Sequence, residues 1–345
     1  MKKIQIKYNP VLEFFCSIGR IIYNKEMKLN KWFNTFDFNE DIQNYIKNVN
    51  SNMSSLMKND MDILTKKFIG GLVVPIYFCL SENITVLNDF FIQFAKLTGA
   101  DFFRMYTKIF DITSLLDDEP AIIMKVLKEK LNVDFPSEDD KLFPEFKKHP
   151  EEIKNRLEVF FKFYYEKFYR KIEDKPIEFM RNKLGDYKRQ YETDGIEFLS
   201  NLLALDMENL VESHNQIFLY PSYFYEIGMT QHLTNDSMCI LFGHLLEQRV
   251  NVNFKQRRAK EILKILGDEK RYEILKLLGK RKYFGVELAE AVNLTKATIS
   301  YHTNKMMALG LLNLHLGENN RVYFSLNKKT LKEMLEYVYQ DMSSE

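Results

Sequence analysis

Residues 294–312, LTKATISYHTNKMMALGLL, gather side chains suited to short polar contacts: Thr295, Lys296, Thr298, Ser300, Tyr301 and Asn304. With Thr295 as N-cap, these positions rotate away from a buried stripe of Ile299, Met306 and Leu309. The exposed half then offers hydroxyls, an amide and an ammonium, and no carboxylate. An ordinary solvated helix face alternates Glu and Lys. A face that meets phosphates and base edges must exclude acids and stay compact enough to enter a groove. His302, at the edge of the stripe, reads as a structural histidine.

Other chemistry fails on inspection. The chain has no G-x-S-x-G, H-E-x-x-H or G-x-G-x-x-G. Gly279-Lys280 resembles the end of a phosphate loop, but Ile274 stands where the first glycine belongs. DFNEDI begins like a calcium loop with Asp37, Asn39 and Asp41, yet Ile42 replaces the turn glycine and Asn48 the bidentate glutamate. Asp117, Asp118 and Glu119 suit the positive end of the helix that follows them. His232, Cys239 and His244 match no metal-site spacing and read as packed residues. We expect no enzyme, no cofactor and no metal.

Composition narrows the class. The 345 residues suffice for two or three domains, and 46% hydrophobic with 14% aromatic content is that of a globular protein. Cys16, Cys79 and Cys239 lie far apart, which fits a reducing compartment. The apolar window FIGGLVVPIYFCL (68–80) is too short to span a bilayer, so we expect a cytoplasmic protein without a membrane segment. The net charge of +1 conceals a split. Residues 255–345 hold 17 Lys+Arg against 11 Asp+Glu, and the remainder 32 against 37.

The elements that must position 294–312 follow from pattern. Residues 1 to about 205 read as mostly helical, with helices beginning at Pro10 and Pro120. From Glu151 to Lys175, Ile153, Leu157, Phe160, Phe161, Tyr164 and Phe168 share one face, and Pro176 is expected to end that helix. This aromatic stripe reads as core, with a ligand pocket as the sharper alternative. NQIFLYPS, stopped by Pro221, and SMCILF read as two short buried strands. NVNFKQRRAK (251–260) is the expected boundary. Then come three helices, AKEILKILG, DEKRYEILKLLG capped by Asp268, and GVELAEAVN, followed by the opening stretch stopped by Gly310. LLNLHLGENNRVYFSLN alternates as two strands around Gly317–Asn320, with Arg321 at the tip. KKTLKEMLEYVYQDM aligns Leu331, Leu335, Val338 and Met342 for its own domain or for a second subunit.

In this order, LGDEKRYEILKLL, ELAEAVNLTKATISYHTNKMMALGLL and NNRVYFSLN resemble the ArsR-type winged helix-turn-helix regulators of bacteria, over the last ninety or so residues. The first 250 resemble, on texture and IFLYPSYF, an uncharacterised helical domain found before such winged helices. The expected fold is mainly α (α+β): a helical N-terminal domain with a small sheet over 1–250, then a winged helix-turn-helix DNA-binding domain over 255–345. The resemblance implies a homodimeric transcription factor, most simply a repressor, that binds double-stranded operator DNA. DNA contacts carry over to Lys296, Thr298, Ser300 and Tyr301, extend to Asn304, and join Thr295 and the wing residue Arg321. Residues 1–250 would sense a small-molecule effector or a partner. Metal-sensing members carry a cysteine pair where this chain has Phe284 and Val286, and residues 328–345 contain no histidine. Thr303 and Lys305 replace the usual Leu and Val. Two other classes fit less of the chain. A protein-docking winged helix would carry apolar residues on the polar face, and an enzyme tethered to a DNA-binding tail would need a catalytic cluster in 1–250.

Overall fold

The computed structural model describes residues 3–24, 36–67, 70–115, 118–131, 139–234, 237–250, 252–316 and 322–343. The chain forms two compact units. One comprises Met1–Met27, Phe38–Lys188 and His214–His244; the other comprises Lys28–Asp37, Arg189–Ser213 and Leu245–Glu345. Sequence reading divided the chain at about residue 250. The structure instead gives residues 189–213 to the unit that holds the C-terminal quarter.

The first unit opens with β1 (Ile4–Ile6) and α1 (Pro10–Ile22). Asn9 caps α1, its side-chain oxygen accepting from the amides of Val11 and Leu12. Helices α2 (Glu40–Asn52), α3 (Ser55–Met61), α4 (Gly70–Ser81), α5 (Leu87–Lys96), α6 (Gly99–Ile109), α7 (Pro120–Leu131), α8 (Asp139–Lys148) and α9 (Pro150–Lys167) follow. The aromatic face of α9 is core: Phe160, Phe161 and Tyr164 are buried. Phe161 meets Phe15 at 5.3 Å, and Phe15 meets Phe90 at 5.2 Å, edge to face. Pro176 does not end this helix. α9 stops at Lys167, and Pro176 lies in the first turn of α10 (Asp174–Leu203), where its missing N–H costs nothing.

The small sheet is larger than expected. β2 (Gln216–Ser222), β3 (Met229–Leu233) and β4 (Ser237–Gly243) join β1 in the order β1-β2-β4-β3. β1 and β4 run parallel to β2, while β3 pairs antiparallel with β4. Pro221 lies inside β2, not after it. β1 pairs only as far as Leu219, so the proline falls past the last bond on that side. One face, with Ile4, Ile6, Ile217, Leu219, Met238 and Ile240, is fully buried.

In the second unit α10 is broken at Gly195, whose φ of 63° and ψ of −145° are not helical. α11 (Met207–Ser213) follows. Beyond residue 250 come α12 (Val252–Leu266), α13 (Glu269–Leu278), β5 (Tyr283–Phe284), α14 (Gly285–Ala291), α15 (Lys296–Ala308), β6 (Leu312–Leu316), β7 (Val322–Leu326) and α16 (Lys328–Ser343). Ile262, Ile265, Ile274, Leu275, Leu278, Leu288, Val292, Ile299, Met306 and Leu309 form their shared core. The segment 251–260, expected as a boundary, is helical from Val252. The fold class stands as mainly α with some β, and the C-terminal region is a winged helix.

Candidate nucleic-acid interface

The turn before α15 is set by two residues. Asn293 adopts a left-handed φ of 53°, and the amides of Asn293 and Leu294 bond back to the carbonyls of Glu290 and Ala289. This closes α14 in a Schellman motif, for which Asn is the common substitute for Gly. Thr295 then caps α15: its hydroxyl oxygen accepts from the Thr298 amide at 3.1 Å and lies 2.8 Å from the Thr298 hydroxyl.

Along α15 the expected apolar stripe lies inward and most of the expected polar positions lie outward. Ile299, Met306 and Leu309 are buried, while Lys296, Ser300 and Asn304 are exposed. Tyr301 is 50% exposed, its ring edge-on to His302 at 5.5 Å. Thr298 is only half-buried, and the Asn304 amide reaches the Ser300 hydroxyl at 3.5 Å. Thr295, Lys296, Thr298, Ser300, Tyr301 and Asn304 therefore occupy one helix, with the Thr295 hydroxyl already engaged as a cap. Arg321 and the wing tip 317–320 lie outside the described residues.

The wing itself is three-stranded, in the order β5-β7-β6. β6 pairs antiparallel with β7, Leu314 opposite Phe324, and β5 adds Tyr283 on the other side of Phe324. Leu205 forms a parallel bridge with Leu314, covering part of the free edge of β6. Behind the wing strand His315 lies 2.7 Å from the Ser325 hydroxyl, and burial lowers its pKa.

Three features hold α15; the stop at Gly310 was expected, and the other two were not. Gly310, at a φ of +65°, ends the helix in a second Schellman motif, with Gly310 N bonded to Met307 O and Leu311 N to Met306 O. Arg258, buried on α12, donates its Nε–H to the Leu309 carbonyl at 2.7 Å. A guanidinium there offsets the negative end of the helix dipole, and burial pulls its pKa down to about 10. A Cβ on Gly310 would stand 2.5 Å from Arg258 Nη2. The QRRAK run was the visible signal, but run and helix end are fifty residues apart.

The third is Lys305, 1% exposed on the inner face of α15. Burial first, then the charge of Arg271, lowers its pKa to about 8 from 10.5, against the pull of Glu261 and Asp268. Arg271 also donates to His302 Nδ1 at 3.4 Å, and burial with that charge lowers the His302 pKa. Folded Lys305 thus releases its proton earlier than unfolded Lys305, so the unfolded chain binds more protons between about pH 8 and 10.5. Its contribution to stability improves as pH rises through that window and is least favourable below it. Lys305→Met is expected to raise the melting temperature at pH 7 by a few degrees. That advantage should shrink from pH 8 towards 10.5; a gap independent of pH contradicts this account.

The His and Cys residues weighed for a metal lie in the first unit. His232 faces Cys239 across β3 and β4, with its Nε2 3.1 Å from the Thr230 hydroxyl. His244 stacks on Tyr223, ring centroids 5.7 Å apart. Burial lowers both histidines to about 4. Among the described residues no three His, Cys, Asp or Glu side chains are grouped to hold a metal. Among those residues no single helix is long and apolar enough to cross a membrane.

Residues 268–313 match the family model described as bacterial regulatory protein, arsR family. Among solved structures, the chain is similar to NolR from Sinorhizobium fredii, 22% identical over 26% of this chain and 89% of that one, with a TM-score of 0.22. HlyU from Vibrio cholerae N16961 is 26% identical over 26% of this chain and 95% of that one, again at a TM-score of 0.22. A third is the homodimeric winged helix-turn-helix DNA-binding domain of Mb0332 from Mycobacterium bovis. It is 21% identical over 28% of this chain and 88% of that one, TM-score 0.22. No curated protein matches the chain.

Proposed function

From a C-terminal region of the ArsR winged-helix type, we propose that this chain is a DNA-binding transcriptional regulator, acting as a repressor in the cytoplasm rather than as an enzyme. The observation that carries this reading is the exposed face of α15, which presents Lys296, Ser300, Tyr301 and Asn304 without a carboxylate on a winged-helix frame. In this reading α15 enters the major groove, where short hydroxyl and amide side chains reach base edges and Lys296 meets a phosphate. The basic balance of residues 255–345 adds long-range attraction to the duplex.

The test is gel-shift binding to the DNA upstream of its own coding sequence across a salt series. Tight binding that falls steeply with salt is expected. Lys296→Ala should weaken binding to all sequences and flatten the salt slope by about one. Tyr301→Ala should weaken the specific site by about tenfold, or roughly 1.4 kcal/mol. No binding, or binding indifferent to salt and to both substitutions, overturns the reading.

The regulator acts as a homodimer reading half-sites roughly 34–36 Å apart. Support comes from α16, where Thr330 and Met334 are buried but Leu335, Tyr339 and Met342 are 43%, 74% and 77% exposed. These three recur at helical spacing and leave an apolar stripe that a second copy would cover. Tyr339→Lys is expected to convert a dimer to a monomer in sedimentation, with the winged-helix circular dichroism unchanged. A wild-type monomer at micromolar concentration would overturn the dimer. The first unit serves as the effector domain.

A further inference from the structure

The aromatic residues of α9 are buried core, and a cavity lies elsewhere in the first unit, at the small sheet. The second face of the small sheet is not covered like the first. Paired residues of parallel strands share a face, so Phe218, Tyr220, Ser237 and Cys239 lie on the side opposite Ile217 and Leu219. Lys7 continues β1, its amide bonding to the Leu219 carbonyl, and its ammonium sits 4.3 Å from the centre of the Phe218 ring. Together they floor a cavity of about 350 Å³ whose rim is the end of α4 with Ser81 and Asn83, and Thr234. That volume lies within the usual range of small-molecule sites, about 300–1,000 Å³.

The cavity is built rather than incidental. Asn9, buried, caps α1 with one side-chain atom and with the other donates to the Ile84 carbonyl at 2.9 Å. This ties the rim loop to the residues just after Lys7. Asn83 turns that loop at a left-handed φ of 52°, and the Ile84 amide returns to the Cys79 carbonyl. Among the described residues no carboxylate lines the cavity. Glu82, between two rim residues, instead lines a separate groove with Asp89 and Lys96.

We propose that this cavity binds a small aromatic monocarboxylate, its ring on Phe218 and Tyr220 and its carboxylate on Lys7 and the hydroxyls of Ser81 and Ser237. Among the described lining residues Lys7 is the cation, and a single ammonium suits a single negative charge. The aromatic floor selects a planar, apolar body over an inorganic anion. Cys239 takes no covalent part, since burial raises its thiol to about 12.

The probe is benzoate, titrated calorimetrically into the full-length protein, with benzyl alcohol and acetate as the uncharged and ringless comparisons. Saturable benzoate binding is expected, at least about tenfold tighter than either comparison, a difference of about 1.4 kcal/mol. Lys7 is exposed, so Lys7→Gln should fold and bring benzoate down to the level of benzyl alcohol, while Lys7→Arg keeps most of the affinity. Phe218→Ala should weaken benzoate and leave acetate unchanged. Benzoate binding no better than benzyl alcohol, or unaltered in Lys7→Gln, overturns the proposal. That the ligand is an effector rests on the regulator reading. The titration contains no DNA, so failure of one leaves the other standing.

Discussion

Gly310→Val is expected to destabilise the second unit by about 3–5 kcal/mol, read as a shift in its denaturant midpoint. Two costs combine. A β-branched residue at a φ of +65° is strained by roughly 1–3 kcal/mol. The new Cβ would also collide with Arg258 Nη2 and force the guanidinium off the Leu309 carbonyl. A lost hydrogen bond to a buried charge costs about 1.5–3 kcal/mol. Gly310→Asn separates the two, because Asn tolerates the left-handed backbone but carries the same Cβ. If Arg258 matters, Gly310→Asn should still lose more than about 1 kcal/mol, and Arg258→Met should remove most of the difference between Asn and Gly at position 310. A Gly310→Val protein within about 0.5 kcal/mol of wild type contradicts both parts.

Ser300→Glu is expected to reduce specific DNA binding by at least about a hundredfold while leaving the fold intact. Ser300 is exposed in the first half of α15, so the substitution displaces no core group. An exposed carboxylate at this position should change stability little. In the groove the same carboxylate would meet phosphates and base acceptors, and like charges forced together cost several kcal/mol. Ser300→Ala, which only removes a contact, should lose about tenfold or less. Equal losses in Glu and Ala would mean that Ser300 does not face the DNA. Loss of the thermal transition in Ser300→Glu would mean that the position is structural.

Residue by residue, the candidate interface was largely readable. Thr295, Asp268 and Gly310 act within three or four positions of the groups they bond, and such local hydrogen bonds are written in adjacent residues. The stripe Ile299–Met306–Leu309 followed from helical spacing alone. Lys305 was read only as a replacement for an apolar family residue; its burial was missed because its residue type favours solvent, yet its angle on the helix carries it inward. Arg258 was lost in an apparent linker, since a basic run reads alike whether solvated or folded over a helix end. Pro176 was misread because proline at a helix start and after a helix end looks the same without knowledge of its neighbours.

What the sequence determined by itself is what short-range chemistry encodes. That includes the caps, the order of helices and strands from 259 to 343 apart from the missed β5, the acid-free face of α15 and the aromatic core stripe of α9. Only the tertiary structure decided which distant segments meet. It brought β1 beside β2 from more than two hundred residues away, seated Arg258 under Leu309, joined residues 189–213 to the C-terminal unit, and opened a cavity between Lys7 and Tyr220. The reason is physical. Periodicity and capping depend on neighbours a few residues apart, whereas strand partners and buried ion positions depend on which surfaces bury together. Many pairings satisfy the same hydrophobic pattern, and only the packed chain selects among them.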